Sequence, residues 1–148
     1  MAHIVGADAL QAKFRKLAKK LKNKKGMYKR IGVKLMNEIS YTFKKESHEG
    51  DPWKPLSQRT IDKRRRGDKK SKARPRILHD TGTLRRFVRH ATPSRLTVGS
   101  PIEYAPKHEF GEGVPERPML PSKEMALKIS VEVTDKYISQ QLKKAGLK

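Results

Sequence analysis

Between Met27 and Phe43 the apolar residues recur in steps of four: Met27, Ile31, Leu35, Ile39 and Phe43, with Tyr28 and Met36 widening the stripe. That spacing is one face of an α-helix and cannot be laid on a strand, whose faces alternate every second residue. Gly50, Asp51 and Pro52 are expected to end it. A shorter run precedes it, Asp8 to Lys22, with Leu10, Phe14, Leu17 and Leu21 on one side and mostly lysine and arginine on the other. Asn23 and Gly26 mark a short turn between the two. Two amphipathic helices therefore dictate the rest of the fold, which must supply the surface that their stripes cover.

Further along, Asp51-Pro-Trp-Lys-Pro-Leu-Ser57 reads as a rigid turn presenting the single tryptophan, and Ser57 is placed to cap a short helix through about Arg66. Asp80 or Thr81 is expected to cap a helical turn that sends Leu84 and Phe87 inward. The segments 87–92 and 95–99 suit short strands either side of Pro93-Ser94, a hairpin signal. From Ser122 two patterns compete. Met125, Ile129, Val133, Tyr137 and Gln141 keep helical spacing, while Ile129, Val131 and Val133 alternate like a strand; the length of 125–142 favours a helix with Ser122 as its N-cap. The expectation is an α+β fold: two N-terminal amphipathic helices, a small antiparallel sheet with a hairpin, and a C-terminal helix. At 148 residues it fits one domain, 1–148, with no internal repeat.

Charge is the next constraint. The formal net charge is +21, and a protein so charged repels itself unless a polyanion or an acidic partner surface is nearby. Residues 62–76 hold nine basic residues against two acidic ones and almost nothing to bury, which reads as a basic mobile loop. Its candidates for contact with nucleic acid or an acidic partner are Arg64, Arg65, Arg66, Lys69, Lys70, Lys72, Arg74 and Arg76. No aromatic residues interleave with them, so stacking on single-stranded bases is not suggested and any DNA contact would be through phosphates, independent of sequence.

Enzymatic chemistry finds little support. With no cysteine, disulfides, thiolate zinc sites and cysteine nucleophiles are excluded. His3, His48, His79, His90 and His108 show no metal-ligand spacing and read as surface or capping histidines. Gly99-Ser100-Pro101 lacks the glycines of a nucleophile elbow, and there is no glycine-rich phosphate loop. Glu103, Glu109, Glu112 and Glu116 are expected to pair with arginines. No catalytic residue, metal or cofactor is expected. No apolar run approaches the ~18 residues of a membrane helix, and Met1-Ala-His-Ile-Val lacks the look of a signal peptide.

What remains conspicuous is Tyr104-Ala-Pro-Lys-His-Glu-Phe-Gly111 followed by Pro115-Glu-Arg-Pro-Met-Leu-Pro121. Aromatic anchors, prolines and a charge pair alternate there, as in a segment built for docking. Phe110, Met119 and Leu120 are too apolar to stay in water without a reason; they must pack under the domain or against a neighbouring subunit. Tyr104, Phe110, Arg117, Met119 and Leu120 are the candidate subunit-interface anchors, and Trp53 belongs either with them or in the core.

These pieces, in order, resemble the virion morphogenesis, or tail completion, proteins of Mu-like tailed phages. The resemblance rests on Gly50-Asp-Pro-Trp-Lys-Pro-Leu56 running into Ser57-Gln-Arg-Thr60, on Ile77-Leu-His-Asp-Thr-Gly-Thr-Leu-Arg85, on Val98-Gly-Ser100 with Tyr104 to Gly111, and on Pro115 to Pro121. It spans about half the chain, and the basic stretch between Arg64 and Arg76 is not part of it. It implies a non-enzymatic virion protein, made in the host cytoplasm and located at the neck or tail end, that joins neighbouring neck or tail proteins as a homo-oligomeric ring. Non-specific contact with packaged DNA and a dedicated, sequence-independent nucleic-acid-binding role are the alternatives that the charge keeps open.

Overall fold

The computed structural model describes residues 7–67 and 75–147. Its longest elements are the helices that the apolar spacing predicts: α1, Ala7–Lys22; α2, Lys25–Lys45; and α5, Lys123–Lys144. The competition over 125–142 is thus resolved as helix. Ser122 is its N-cap, its hydroxyl accepting from the Met125 amide at 3.1 Å, so the i, i+4 pattern wins over the three-residue alternation.

Helix α2 is the spine. It packs along α5 on one side and carries a β-hairpin on another. The hairpin is β3, Val88–Ala91, antiparallel to β4, Leu96–Gly99, with Arg89 opposite Val98, as the Pro93-Ser94 signal predicts. Gly32 makes the seat: a Cβ there would lie 3.2 Å from the Leu96 side chain and 3.3 Å from that of Arg89, so both would have to shift by a few tenths of an ångström to admit one. The Arg89 guanidinium then donates to the Lys29 carbonyl at 3.0 Å. On the α5 side, Arg30 reaches Gln140 at 2.6 Å and lies over the Tyr137 ring.

Helix α2 ends earlier than its sequence suggests. Glu46 turns left-handed at φ 53°, and the chain forms a small second hairpin, β1 (Ser47–His48) with β2 (Asp51–Pro52). The Trp53 amide donates to the Glu46 carbonyl at 2.8 Å, and the turn delivers Trp53 to the core. Trp53 is 5% exposed and meets Phe43 edge to face at 5.4 Å. Around this pair close Ile39, Ile77, Leu78, Leu84, Ala105 and Met119. Leu84 arrives on the 3₁₀ turn Thr83–Arg85, steadied by Thr81, and Phe87 packs against Phe43 at 6.0 Å.

The basic stretch departs from expectation over its first part. Helix α3, Gln58–Gly67, runs through Arg64, Arg65 and Arg66, so 62–67 is not a loop; lysine and arginine are good helix formers, and Ser57 contacts the Thr60 amide and hydroxyl at the start. The remainder of the expected loop, 68–74, lies outside the described residues. Helix α1 is attached only lightly: Leu17 is buried and Leu21 half-buried, while Leu10 and Phe14 remain about half exposed.

Because Phe43 and Trp53 fill one another's space, truncation there leaves a cavity. Phe43→Ala or Trp53→Ala should lower unfolding stability by about 3–5 kcal/mol, read from the midpoint of urea denaturation, whereas Leu10→Ala on the exposed face of α1 should change it by less than about 0.5 kcal/mol.

Candidate functional site

The proline-rich segment 111–121 is not a free surface connection. Trp53 donates its indole N–H to the Pro118 carbonyl at 2.9 Å. In the opposite direction Arg117 donates Nε to the Lys54 carbonyl at 3.0 Å and Nη2 to that of Pro55 at 3.3 Å. The prolines of both strips have no amide to offer, so their carbonyls are the groups left to satisfy, and an indole and a guanidinium supply the donors. The strips 53–55 and 117–118 are thereby latched face to face.

A short helix that the docking reading did not anticipate, α4 (Ala105–Phe110), sits beside the latch. Pro106 falls in its first turn, where a missing amide costs nothing. Glu109 does not pair with an arginine as expected; its carboxylate accepts the amides of Met119 at 2.8 Å and Leu120 at 3.3 Å. The helix stops at Gly111, in the left-handed region at φ 75°, where a Cβ would press on Glu116 at 3.0 Å. The Glu112 amide closes onto the Lys107 carbonyl at 3.0 Å, and the Arg117 amide onto that of His108 at 2.7 Å. The result is a rigid knob, Phe110 to Gly113, on a hydrogen-bonded base.

This geometry divides the candidate anchors. Trp53, Arg117 and Met119 are 5%, 5% and 1% exposed; they belong to the chain's own core, where the latch needs them, and of the three only Arg117 also borders a cleft. Leu120 is half-buried against the same core. Phe110, by contrast, is 70% exposed and Tyr104 43%.

Beside α4 opens a cleft of about 710 Å³. Leu56, Leu84 and Val114 give it apolar walls; Arg64 and Arg117 give it positive ones, and His108 lines it as well. His108, read from sequence as a surface or capping residue, has a buried Nδ1 with no hydrogen-bond partner among the described residues. Burial, and then the nearby Arg117 charge, lower the His108 pKa below its ordinary 6.5. Burial and the charge of Arg64 likewise disfavour the charged form of Arg117. Asp80 lies 3.6 Å from Arg64 but is mostly exposed.

The basic candidates also separate. Arg76 donates to the Phe43 and Lys44 carbonyls at 2.9 and 3.1 Å, capping the end of α2, so its charge serves the fold. Arg64 donates to the Arg76 carbonyl at 2.8 Å and faces the cleft. Arg65 and Arg66 are exposed on α3. Lys69, Lys70, Lys72 and Arg74 lie outside the described residues. The sequence reading also missed the tie between β1–β2 and α5: Glu49 accepts the Ser122 amide and hydroxyl at 2.7 and 2.9 Å, and His48 donates to the Leu120 carbonyl at 2.9 Å. Burial alone would raise the Glu49 pKa; the Ser122 bonds and His48 outweigh it and bring it below its ordinary value. No adjacent residue in the sequence signals these partners, which lie about 73 positions apart.

Among the described residues no cluster of histidine and carboxylate groups could hold a metal ion, and no helix is long and apolar enough to cross a membrane. The arrangement can hold an anion and an apolar group together and can present an aromatic knob. The chain belongs to the phage virion morphogenesis family, which matches residues 5–139. Neither a curated protein nor a solved structure matches it significantly.

With the His108 pKa lowered in the folded state, the unfolded chain binds the proton more readily, so this residue's contribution is intact above pH 6.5 and is lost as pH falls through the folded-state value. His108→Gln should flatten the fall in stability between pH 7 and pH 5 relative to the unaltered chain, read by urea denaturation at each pH. A pH dependence unchanged by the substitution would show that His108 titrates as it does when unfolded.

Proposed function

We propose that the protein acts in head–tail joining or tail completion of the phage particle, as one subunit of a homo-oligomeric ring at the neck or tail end. Its role there is structural, and its neighbours are other neck or tail proteins. Family membership supplies the phage-particle context. The observation that carries the reading further is Phe110, which stands 70% exposed on a base held by Glu109, Gly111 and the Arg117 latch. A large aromatic ring kept in water by a rigid scaffold is the form of an interface anchor, since ordering costs at the site are already met before the partner arrives. A closed ring needs each copy to present one patch and receive another.

A second reading, sequence-independent nucleic-acid binding, draws on one specific feature. Lys16, Lys19 and Lys20 of α1 face Lys25 and Lys29 of α2 across an open groove beside Tyr137. Facing rows of ammonium groups suit phosphates, and such binding weakens steeply with salt. It is compatible with a ring whose groove follows packaged DNA.

Light scattering on nuclease-treated protein separates the two. The ring reading expects one defined oligomer that persists at high salt without DNA. A monomer at every concentration, together with duplex binding that collapses as salt rises, would replace it with the nucleic-acid reading.

A further inference from the structure

The cleft and the Phe110 knob share one short helix. His108 lines the cleft, whereas Phe110 does not and is 70% exposed; two residues apart on a helix is about 200° of rotation. The knob carries an exposed carboxylate, Glu112, two residues from the exposed phenyl ring. The cleft carries what such a tip lacks. Arg64 and Arg117 are positive, Nδ1 of His108 is buried without a partner, and Leu56 and Val114 form apolar wall. Arg117 is 5% exposed and donates Nε and Nη2 to backbone carbonyls, and no carboxylate pairs with it among the described residues. A buried guanidinium beside a second arginine is costly unless an anion accompanies it. Asp80 meets only the outer arginine.

We propose that the cleft receives the Phe110–Glu112 knob of a second copy of this chain, with the carboxylate of Glu112 set against Arg64 and Arg117 and the phenyl ring against Leu56 and Val114. The exposed Glu112 carboxylate beside Phe110 matches the arginines and apolar wall of the cleft, which makes a copy of this chain the occupant; because knob and cleft are different surfaces, the contact is heterologous and closes into a ring when the rotation between copies closes. The cleft volume of about 710 Å³ is ample for a phenyl ring and a carboxylate. This contact rests on the ring reading and deepens it by naming the two surfaces.

The test uses the full chain in three forms: unaltered, knob-deficient (Phe110→Ala with Glu112→Gln) and cleft-deficient (Arg64→Glu). Circular dichroism and urea denaturation establish that each is folded; Arg64→Ala replaces Arg64→Glu should the latter fail to fold. Sedimentation then reads mass. The unaltered chain should assemble, and each variant alone should self-associate at least about thirtyfold more weakly, the effect of losing one interface hot spot. Mixed one to one, the two variants should form a dimer and nothing larger, because the pair contains one intact knob and one intact cleft. Full assembly by either variant would overturn this contact while leaving the ring intact, held by other surfaces. Two unassembled variants that do not combine would overturn the knob-and-cleft pairing as well. An unaltered chain that stays monomeric would overturn the ring and this contact together, and if that monomer bound duplex DNA through Arg64, the cleft would be a phosphate site instead.

Discussion

The exchange of donors between Trp53 and Arg117 is the constraint on which the rest of this structure depends. Two proline-bounded strips, distant in sequence, meet face to face with carbonyls that their own prolines cannot satisfy. An indole N–H crosses one way, and a guanidinium crosses the other. Both side chains are buried, so each bond is shielded from water and leaving either carbonyl unpaired would carry a desolvation cost. Removing Trp53 would also open the packing around Phe43, because Trp53 supplies that ring's edge-to-face neighbour. Core and latch are one feature.

From the latch follows the rigidity of α4 and its tip. Glu109 pins α4 to the Met119 and Leu120 amides, and Gly111 turns the chain where no side chain would fit. The short helix is otherwise too small to hold itself together. Its stability is borrowed from the strip that Arg117 anchors. That is how an exposed aromatic, Phe110, comes to stand on a hydrogen-bonded base beside a cleft lined by Arg64 and Arg117.

The charge of the chain is likewise spent unevenly. Arg76 is committed to the end of α2, Arg117 to the latch, Arg30 to Tyr137 and Gln140, and Arg89 to the Lys29 carbonyl. These arginines donate to backbone or amide oxygen, which a planar guanidinium does well. Lys16, Lys19 and Lys20 of α1 and Lys25 and Lys29 of α2 instead line an open groove. The structural and electrostatic uses of positive charge are thus divided between the two residue types, with Arg64 at the boundary because it serves both the Arg76 carbonyl and the cleft.

The sequence by itself determined the long helices, the β3–β4 hairpin, the caps at Ser57 and Ser122, and the family resemblance. These rest on periodicity and on residues acting over three or four positions, which a linear reading can see. Tertiary structure alone decided which apolar and charged residues face inward. Phe110 and Met119 look equally unsuited to water in the sequence, yet one is exposed and the other fully buried, because Glu109 draws Met119 against the core while Gly111 turns the chain away just after Phe110. Arg117 reads as a surface anchor until its partners, the carbonyls of Lys54 and Pro55, are known. His108 and Glu49 acquire their roles from neighbours on distant segments. Contacts of that kind leave no local pattern, since each is set by how separate elements pack and not by the spacing of residues within one.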